Sequence, residues 1–447
     1  MQDKQKILIP LRDFEYYGEI KPALDYLSKK KYEILYLSYE NIDNIKNLFV
    51  VEKFFTNSSD AESYLIQNSV NPEIYRCDPR YFFAIKSEKE LIIEQANIER
   101  YFNNFIKSES INIIFSGFAT YGIWTIPHEI ARSMGISSYR MLDFHHLNLD
   151  LSKSRTWFTN DIYMETWEKE EYRFNWNSKN VESFIDNYIK GIKENNIVLT
   201  QTALPHQGLF YANSFSLVFK NVIRMFIRND NKSIHRIKSV FNYFFTKKKQ
   251  SDISDLNSNF LIFPLNAAYD EQLLLRGSYI KDIYSSIQII CNSLPLGMKL
   301  IIRQHPVDPG GLSYYKIRKL LLKNADLHIV DHNIPLNQLI AKSSGMITVN
   351  STSAFDSLIN EKPVFVLGRT FYSNTDAVTT VKDIRNLTQE LNSFIKKGFK
   401  IEQFNAFVNI LKNICFESYP EPNNNENISY HEHLGLAIKS KLELMEK

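Results

Sequence analysis

The hydrophobic pattern of the first 143 residues alternates between short apolar runs and longer segments in which apolar residues recur at helical spacing. The apolar runs predict strands that are buried on both faces, as in a parallel sheet, at Ile7–Leu11, Tyr32–Leu37, Phe49–Val51, Ile111–Phe115 and Ile136–Leu142. The segments between them predict helices at Glu19–Lys30, Ser58–Gln67, Ser87–Lys107 and Thr125–Met134, with a capping box formed by Ser87 and Glu90. Alternating strands and helices are typical of a doubly wound α/β domain.

A second alternating pattern begins at Phe260. It predicts strands at Phe260–Pro264, Lys299–Arg303, Leu327–Val330, Gly345–Val349 and Pro363–Leu367. The predicted helices are Glu271–Leu294, Ser313–Lys323, Ala354–Asn360, Asn386–Lys397, Gln403–Cys415 and a final helix Ile428–Lys447. The fold class predicted from the whole pattern is therefore α/β, with two Rossmann-like doubly wound domains.

The stretch between the two patterns is irregular and helical, with its clearest helix at Asn180–Asn195. Within it, Lys220–Lys249 carries nine basic residues and one acidic residue, Asp230, interleaved with aromatic residues. We expect this segment to contact the inner membrane surface or a lipid-linked acceptor, because rings can enter the headgroup boundary while cations meet anionic lipid. A helical insertion packed on the first domain is the alternative. Nucleic acid is not an expected partner, since no recognition motif accompanies the basic residues.

The pattern divides the chain into four parts. Residues 1–200 are predicted to form a first α/β domain, 201–257 a basic helical insertion, 258–415 a second α/β domain, and 416–447 a tail helix that crosses back to the first domain. A length of 447 residues suits two domains of roughly 200 residues each.

Composition adds a prediction of location. Apolar residues at 44 % and charged residues at 23 % are ordinary for a soluble globular protein. The three cysteines, Cys77, Cys291 and Cys415, are far apart and predict a reducing compartment without disulfides. No signal segment is visible, and no run reaches the roughly 18 apolar residues of a membrane span. We therefore expect a cytoplasmic protein, peripheral on the inner membrane if the basic segment binds lipid.

Polar residues follow two strands of the second pattern at the point where each strand ends. Arg303, Gln304 and His305 leave one strand, and Asn350 with the turn Ser351–Ser353 leaves another. Ligands bind beyond the carboxyl ends of strands in such sheets. The turn is also predicted to cap the next helix, whose first N–H groups favour an anion. A cation, an imidazole and a helix N-terminus at one edge predict a phosphate site.

An ordered series of motifs narrows the interpretation. It consists of Phe263-Pro-Leu-Asn-Ala-Ala-Tyr-Asp270, the strand ending in Arg303-Gln-His-Pro306, the turn Asn350-Ser-Thr-Ser-Ala-Phe-Asp356, and Glu361-Lys-Pro-Val-Phe-Val-Leu-Gly-Arg-Thr-Phe-Tyr372. The series resembles the bacterial capsule polysaccharide biosynthesis family, which includes retaining β-Kdo transferases, over about residues 258–375. Arg303-Gln304 stands where that family commonly has Lys-Glu, Asp356 where it has Glu, and Asn266 where many members have Gln or His.

The resemblance implies a GT-B-type glycosyltransferase that makes capsule or lipopolysaccharide by transferring a Kdo-like sugar from a CMP-activated donor, with retention, to a glycan or glycolipid. It implies that residues 1–200 bind the acceptor and residues 258–415 bind the nucleotide sugar. It implies Asp270 as nucleophile, Glu129 as acid/base (with Asp143 as a substitute in that role) and His305 at the leaving phosphate. The expected nucleotide contacts are Arg303, Gln304, His305, Asn350, Ser351, Thr352, Ser353 and Asp356, with Asn266 and Tyr372 also lining the cleft.

Several alternatives stay open at this point. The donor is CMP-linked, UDP-linked, CDP-linked or a polyol phosphate, and a UDP-sugar 2-epimerase shares the predicted fold. A non-catalytic scaffold of the same assembly system is the alternative outside enzymes. We expect no metal and no further cofactor, because the sequence has no DxD motif between apolar residues and no dinucleotide fingerprint.

Overall fold

The computed structural model describes residues 5–28, 32–68, 70, 78, 80, 86–117, 121–143, 155–159, 241–247, 259–266, 273, 276–277, 282–305, 310–414, 416–417, 437–439, 441–443 and 445. Predictions that lie outside the described residues are the helix Asn180–Asn195, most of the basic segment 220–249, most of the final helix Ile428–Lys447, the side chain of Asp143, and Asp270.

The first sheet contains seven strands in the order β13-β6-β5-β4-β1-β2-β3 in the described part of the chain. Its strands are β1 (Gln5–Leu11), β2 (Tyr32–Ser38), β3 (Leu48–Val50), β4 (Ile113–Gly117), β5 (Ser137–Asp143), β6 (Arg155–Thr159) and β13 (Phe416–Glu417). The helices with it are α1 (Phe14–Ser28), α2 (Ser58–Gln67), α3 (Glu88–Ser108) and α4 (Gly122–Ser133). Neighbouring strands from β5 to β3 in this order are parallel, whereas β6 is antiparallel to both of its neighbours, β5 and β13.

Among the residues that the structure describes, the second sheet contains six strands in the order β12-β11-β10-β7-β8-β9, and every pair is parallel. Its strands are β7 (Phe260–Pro264), β8 (Lys299–Arg303), β9 (Leu327–Val330), β10 (Gly345–Thr348), β11 (Val364–Val366) and β12 (Thr379–Thr380). Its helices are α5 (Ile283–Ser293), α6 (Tyr314–Lys323), α7 (Leu336–Lys342), α8 (Ser353–Ile359), α9 (Leu387–Lys397) and α10 (Ile401–Ile414). The prediction of two Rossmann-like sheets, the architecture that a GT-B-type fold requires, is confirmed.

Strand β7 shows why the strands of this sheet are continuous apolar runs in the sequence. Phe260 and Ile262 enter the core on one face of the sheet, and Leu261 and Phe263 enter the core on the other face. All four side chains are fully buried. Each face is covered by helices, so neither set of positions can be polar.

Two helix predictions have instructive outcomes. The capping box is confirmed, since the Ser87 side chain accepts from the N–H of Glu90 and the Glu90 carboxylate accepts from the N–H of Ser87. The single helix predicted at Glu271–Leu294 is wrong. Gly277 is not helical, and Asp282 caps a separate helix, α5, by accepting from the N–H of Ser285. Asp282 is an N-cap inside a segment that was predicted to be continuous.

The strand β6 was not predicted, because an irregular, helical stretch was expected after Asp150. It is short and pairs antiparallel with both β5 and β13. Through β13 and the buried residues Ala437, Ile438 and Leu442, the end of the chain packs on the first domain. The boundaries proposed for the four parts of the chain stay predictions.

Candidate functional site

The second sheet reverses its strand order between β7 and β10. From β7 the chain runs outward through β8 and β9, and it then returns to β10 on the other side of β7 before continuing to β11 and β12. The connections that leave β7 and β10 at their carboxyl ends therefore diverge. Such a switch point leaves a crevice in which ligands of open parallel sheets bind.

Two asparagines span this switch point. Asn266 follows β7 and donates through Nδ2 to Oδ1 of Asn350, which follows β10, over 3.3 Å. Asn350 in turn donates through Nδ2 to the carbonyl of Arg369 at the end of β11, over 3.3 Å. Asn350 is 2 % exposed, so these bonds fix the connections after three strands relative to one another. The structure thus brings together two residues that were predicted for the cleft.

The turn after β10 is built differently from the prediction. The N-cap of α8 is Thr352, which already has helical dihedral angles (φ −60°, ψ −19°) and makes no side-chain capping bond. Ser351 organises the turn instead. Its N–H donates to Oγ1 of Thr348 over 3.0 Å, its hydroxyl accepts from the hydroxyl of Ser353 over 2.8 Å, and its carbonyl accepts from Oη of Tyr372 over 2.6 Å.

Tyr372 and Asp356 are interior residues, which corrects their predicted contacts in the cleft. Tyr372 is fully buried, and burial raises the pKa of its phenol. Asp356 is 4 % exposed and lies near enough to Arg303 for its charge to raise the pKa of that guanidinium. A carboxylate in this position balances a buried cation, so its predicted bond to a ribose is not supported.

Arg303 is also buried inside the domain. It was predicted to contact the nucleotide, but its side chain is not exposed in the crevice. Its Nε donates to the carbonyl of Ile334 over 3.0 Å, and one terminal nitrogen donates to the carbonyl of His332 over 2.8 Å. The side chain is 4 % exposed, and burial lowers its pKa to about 10 despite the opposing charges of Asp356 and Asp331. Arg303 therefore fixes the loop between β9 and α7.

His305 stands at the end of the same strand as a neutral ring. Burial first, and the charge of Arg303 second, lower its pKa to about 4. In the absence of ligand this ring therefore carries no charge near neutral pH, and the predicted contact of His305 with a leaving phosphate stays a prediction. The neutral ring can still exchange a hydrogen bond with a phosphate oxygen. Gln304 beside it is 1 % exposed.

The first sheet has its own switch point between β1 and β4, and sequence reasoning missed the residues there. The guanidinium of Arg12, directly after β1, lies 5.3 Å from the ring centre of Tyr121 and 5.8 Å from that of Trp124. Trp124 donates from its indole to the carbonyl of Pro10 over 2.9 Å. A Cβ at Gly117 would lie 2.6 Å from the Trp124 ring, so this close packing requires glycine. Arg12 also pairs with Asp13.

A buried ionic network packs against the aromatic ring of Tyr121 at this edge. Arg80 bridges Asp78 and Glu94, with N–O distances of 2.7 Å to each, and Lys86 reaches Glu94 at 2.5 Å. The two carboxylates are 1 % and 2 % exposed. Burial alone would lower the pKa of Arg80, but its bonds to the two acids raise it above the ordinary value. The Arg80 guanidinium also lies 5.4 Å from the centre of Tyr121, so the network reaches the edge.

Glu129 does not lie at this edge. It is in the second half of α4, a helix that begins at the carboxyl edge and runs away from it, with Nε2 of His128 and a terminal nitrogen of Arg132 each 3.8 Å away. With Arg100 and Lys107 of α3, it lines a groove of about 910 Å³ on the helical surface. The predicted role of Glu129 as acid/base is therefore not supported. Asp270 and the side chain of Asp143 lie outside the described residues.

In the described part of the chain, no group of three or more His, Cys, Asp or Glu side chains could hold a metal ion. Likewise, none of the described helices is long and apolar enough to cross a membrane.

Comparison with known proteins supports the resemblance seen in the motifs. The family model "Capsule polysaccharide biosynthesis protein" matches residues 227–396, which include every strand of the second sheet. The chain is 32 % identical over 123 residues to the capsule polysaccharide modification protein LipB of Neisseria meningitidis, a match that covers 25 % of this chain and 29 % of LipB. It is 26 % identical over 156 residues to the capsule polysaccharide export protein KpsS of Escherichia coli, which covers 33 % of this chain and 38 % of KpsS. The matches thus span well under half of either relative.

Solved structures give weaker similarity. The β-Kdo 2,4 transferase of KpsC from Thermosulfurimonas dismutans aligns over 68 % of this chain and 88 % of its own, with 11 % identity and a TM-score of 0.37. A UDP-GlcNAc 2-epimerase from Neisseria meningitidis aligns over 98 % of this chain and its whole length, with 14 % identity and a TM-score of 0.29. TM-scores this low do not establish a shared activity. The relationship rests on the sequence matches, by which residues 227–396 of this chain are similar to capsule polysaccharide biosynthesis proteins.

Proposed function

We propose that this protein is a glycosyltransferase of bacterial capsule or lipopolysaccharide assembly whose second domain binds the nucleotide of a CMP-activated, Kdo-like sugar donor. The observation that carries the proposal is the Asn266–Asn350 bond across the switch point of the second sheet. It ties together the connections that leave β7 and β10, at the switch point where open parallel sheets bind ligands and within the region that matches the family model. The described residues of the motifs that resemble retaining β-Kdo transferases belong to or follow strands β7, β8, β10 and β11 of the same sheet.

The surroundings of His305 suit a leaving phosphate. The ring is neutral and largely buried, and Arg303 lies close enough to lower its pKa. A phosphate at the ring would favour the protonated form, because an opposite charge stabilises a cation. Positive charge would therefore increase at His305 when the anion arrives or when its charge grows in the transition state, where stabilisation raises the rate.

For the chemical step we propose Asp270 as the nucleophile, the role implied by its match to the acidic position of the family motif. Its carboxylate would attack the anomeric carbon and form a glycosyl-enzyme bond as the bond to CMP breaks, with the electron pair leaving on the phosphate. An acceptor hydroxyl would then displace the carboxylate and lose its proton to a base. Two inversions give net retention. With Glu129 placed on the helical surface, we assign that base to no residue.

The first sheet provides the place for an acceptor. Arg12 and Tyr121 stand at its switch point, and the side chain of Arg12 is 26 % exposed. Guanidinium groups that stack on aromatic rings suit a ligand with both hydroxyl and anionic groups, such as an acidic glycan. Whether the basic segment 220–249 contacts the inner membrane stays a prediction, because only residues 241–247 of it are described.

The proposal is tested first by a nucleotide panel. Thermal unfolding is measured with CMP, CDP and UDP, and a ligand at about 100 times its Kd should add about 2.7 kcal/mol to the free energy of unfolding. We expect stabilisation by CMP. Stabilisation by UDP or CDP alone would instead favour a transferase for a donor linked to that nucleotide, or the epimerase. No response to any nucleotide would contradict the proposal and favour the scaffold.

The site itself is tested by His305→Ala. Loss of a hydrogen bond to a charged phosphate costs roughly 1.5–3 kcal/mol, so the Kd for CMP should rise at least about tenfold. His328→Ala is the matched control, because His328 lies near the amino end of β9 and its ring also has a lowered pKa. Titration calorimetry on the two folded variants gives the comparison. Equal affinity in both would mean that CMP binds elsewhere.

A further inference from the structure

Helix α6 presents an unusual outer face. Ile317 and Leu320 are buried against the second sheet, as expected for an amphipathic helix. On the opposite side, Tyr315 is 75 % exposed and Leu322 is 78 % exposed. The two residues are seven positions apart, so they lie on one stripe of the helix. Large apolar side chains at this exposure are not needed for the fold of the domain.

The charged residues of helix α6 itself all have the same sign. Helix α6 contains Lys316, Arg318, Lys319 and Lys323 and no acidic residue, and all four basic side chains are exposed. Arg318 and Lys319 lie one turn from both Tyr315 and Leu322, so they are at the centre of the stripe. Lys316 is also near the carboxylate of Asp282 and packs over Tyr284 at 4.7 Å. The exposed positive charge at the centre of the stripe is therefore that of Arg318 and Lys319.

A second exposed element lies against the start of α6. Residues 241–247 are helical and form the described end of the basic segment. They expose Phe241 by 55 % and Phe245 by 48 %, four residues apart on one face. The ring of Phe245 is 5.3 Å from that of Tyr314, and Oδ1 of Asn242 accepts from the N–H of Tyr314 over 3.1 Å. The exposed rings of the two elements are therefore held beside one another.

We propose that the outer face of α6 and the exposed rings of residues 241–247 form one docking surface for an anionic lipid bilayer. The apolar side chains would enter the headgroup boundary while the exposed cations remain at the lipid phosphates. Charge complementarity selects this occupant. A second copy of the chain would bring two basic faces together in a symmetric contact, which like charges oppose.

The position of α6 connects this surface to the candidate nucleotide site. The helix follows the connection that leaves β8 at His305, so its first turn is at the carboxyl edge of the second sheet. Docking through α6 would hold that edge near the bilayer, where a lipid-linked acceptor would be presented. This consequence rests on the proposed function. Vesicle binding by itself does not, because it requires neither nucleotide nor turnover.

The test is co-sedimentation of the full-length protein with vesicles of phosphatidylcholine alone or mixed with phosphatidylglycerol, at low and high salt. We expect binding to the mixed vesicles only, with loss at high salt, because surface charges are screened. Arg318→Gln combined with Lys319→Gln should lower the partition coefficient at least about tenfold. The combination of Tyr315→Ser with Leu322→Ser should lower it by a similar factor, even with both charges retained.

The control is Lys396→Gln combined with Lys397→Gln, an exposed basic pair at the end of another helix, α9. This variant should bind as the unmodified protein does, and all variants should have the same melting temperature. Equal binding to both vesicle types, absence of binding, or unchanged binding by the two α6 variants would overturn the proposal. If vesicle binding occurs but no nucleotide binds, the surface stands and the proposed function fails.

Discussion

The two sheets of this protein end in edges of different chemical character. The edge of the first sheet is ionic, because Arg80, Asp78, Glu94 and Lys86 form a mostly buried network that reaches the aromatic ring of Tyr121. The edge of the second sheet, called the neutral edge below, is formed at its strand ends by amide and hydroxyl groups that bond one another. Of its two basic residues, Arg303 stays a buried cation beside Asp356, whereas burial leaves the ring of His305 neutral.

The difference indicates two ways in which a protein can hold polar groups ready for a ligand at the edge of a sheet. Removal of one partner from the ionic edge leaves buried charge, which is costly for folding. The amide and hydroxyl groups of the neutral edge cost less to keep without ligand, and its charge can increase when an anion binds. We therefore expect changes at the first edge to act mainly on stability. Changes at the second edge should act mainly on nucleotide binding and turnover.

The largest effect is expected from Asp270→Asn. If Asp270 is the nucleophile, the variant should lose transfer activity, since an amide cannot form the glycosyl-enzyme bond. Its affinity for CMP should stay within a few-fold of the original. Product formation is measured with a donor linked to the nucleotide that stabilises the protein in the panel. Asp282→Asn is the control, because asparagine caps a helix as well as aspartate does, and that variant should remain active. Turnover by Asp270→Asn would exclude Asp270 from the mechanism.

The next effect concerns the ionic edge. Arg80→Met leaves Asp78 and Glu94 buried without their shared cation, so the free energy of unfolding of the first domain should fall by about 3–5 kcal/mol. The affinity for CMP should not change where the variant is folded. The matched control is Arg385→Met, which removes an exposed guanidinium from Asp383 and should leave stability unchanged.

Tryptophan fluorescence during urea unfolding reports the first domain, because the four tryptophans all lie within the first 200 residues: Trp124, Trp157, Trp167 and Trp176. If Arg80→Met and Arg385→Met unfold at the same urea concentration, the ionic edge has no special importance for stability.

A smaller effect is expected from Asn350→Ala at the neutral edge. Asn266 and the carbonyl of Arg369 would each lose a partner, which costs about 1–3 kcal/mol of local stability. Hydrogen exchange of the amides in β7 and β10 measures this loss. The control, Asn392→Ala, removes an exposed amide that bonds a carbonyl within α9. The prediction fails if the two variants exchange alike in β7 and β10.

The smallest effect is a pH dependence. Because the folded protein lowers the pKa of His305 from 6.5 to about 4, this group contributes stability above about pH 6.5 that is lost as the pH falls towards 4. A bound phosphate would raise that pKa, so CMP binding should take up a proton and tighten modestly between about pH 7 and pH 5. Calorimetry in buffers of different ionisation enthalpy counts the protons. His305→Gln should remove this uptake, while the titration of CMP itself is common to both proteins. Equal proton uptake by the unmodified protein and His305→Gln would show that His305 does not contact the phosphate.

Local pattern predicted most of the fold. The apolar runs at Ile7–Leu11 and Lys299–Arg303 correspond to β1 and β8, because a strand covered on both faces needs apolar residues at every position. The capping box at Ser87 was equally visible, since both partners lie within one turn. The continuous helix predicted from Glu271 was wrong, because apolar spacing outweighed the signals of Gly277 and Asp282.

The candidate site was less predictable, because its chemistry depends on contacts between distant residues. The strand end at Arg303 was visible, but the carbonyls of His332 and Ile334 that bind its side chain are about thirty residues away. Equally, nothing local indicates that Asp78 and Glu94 share Arg80 behind Tyr121. The sequence can identify residues at a strand end. It cannot tell which of their side chains turn inward.

The central claim is that the carboxyl edge of the second sheet binds the donor's nucleotide, and hydrogen exchange with and without saturating CMP tests it most directly. We expect CMP to slow exchange of amides in three segments, 265–266, 304–305 and 349–353, which follow β7, β8 and β10. His305→Ala at the same CMP concentration should show less protection in all three, whereas His328→Ala should not. Protection confined to other parts of the chain, or none while CMP is bound, would contradict the account.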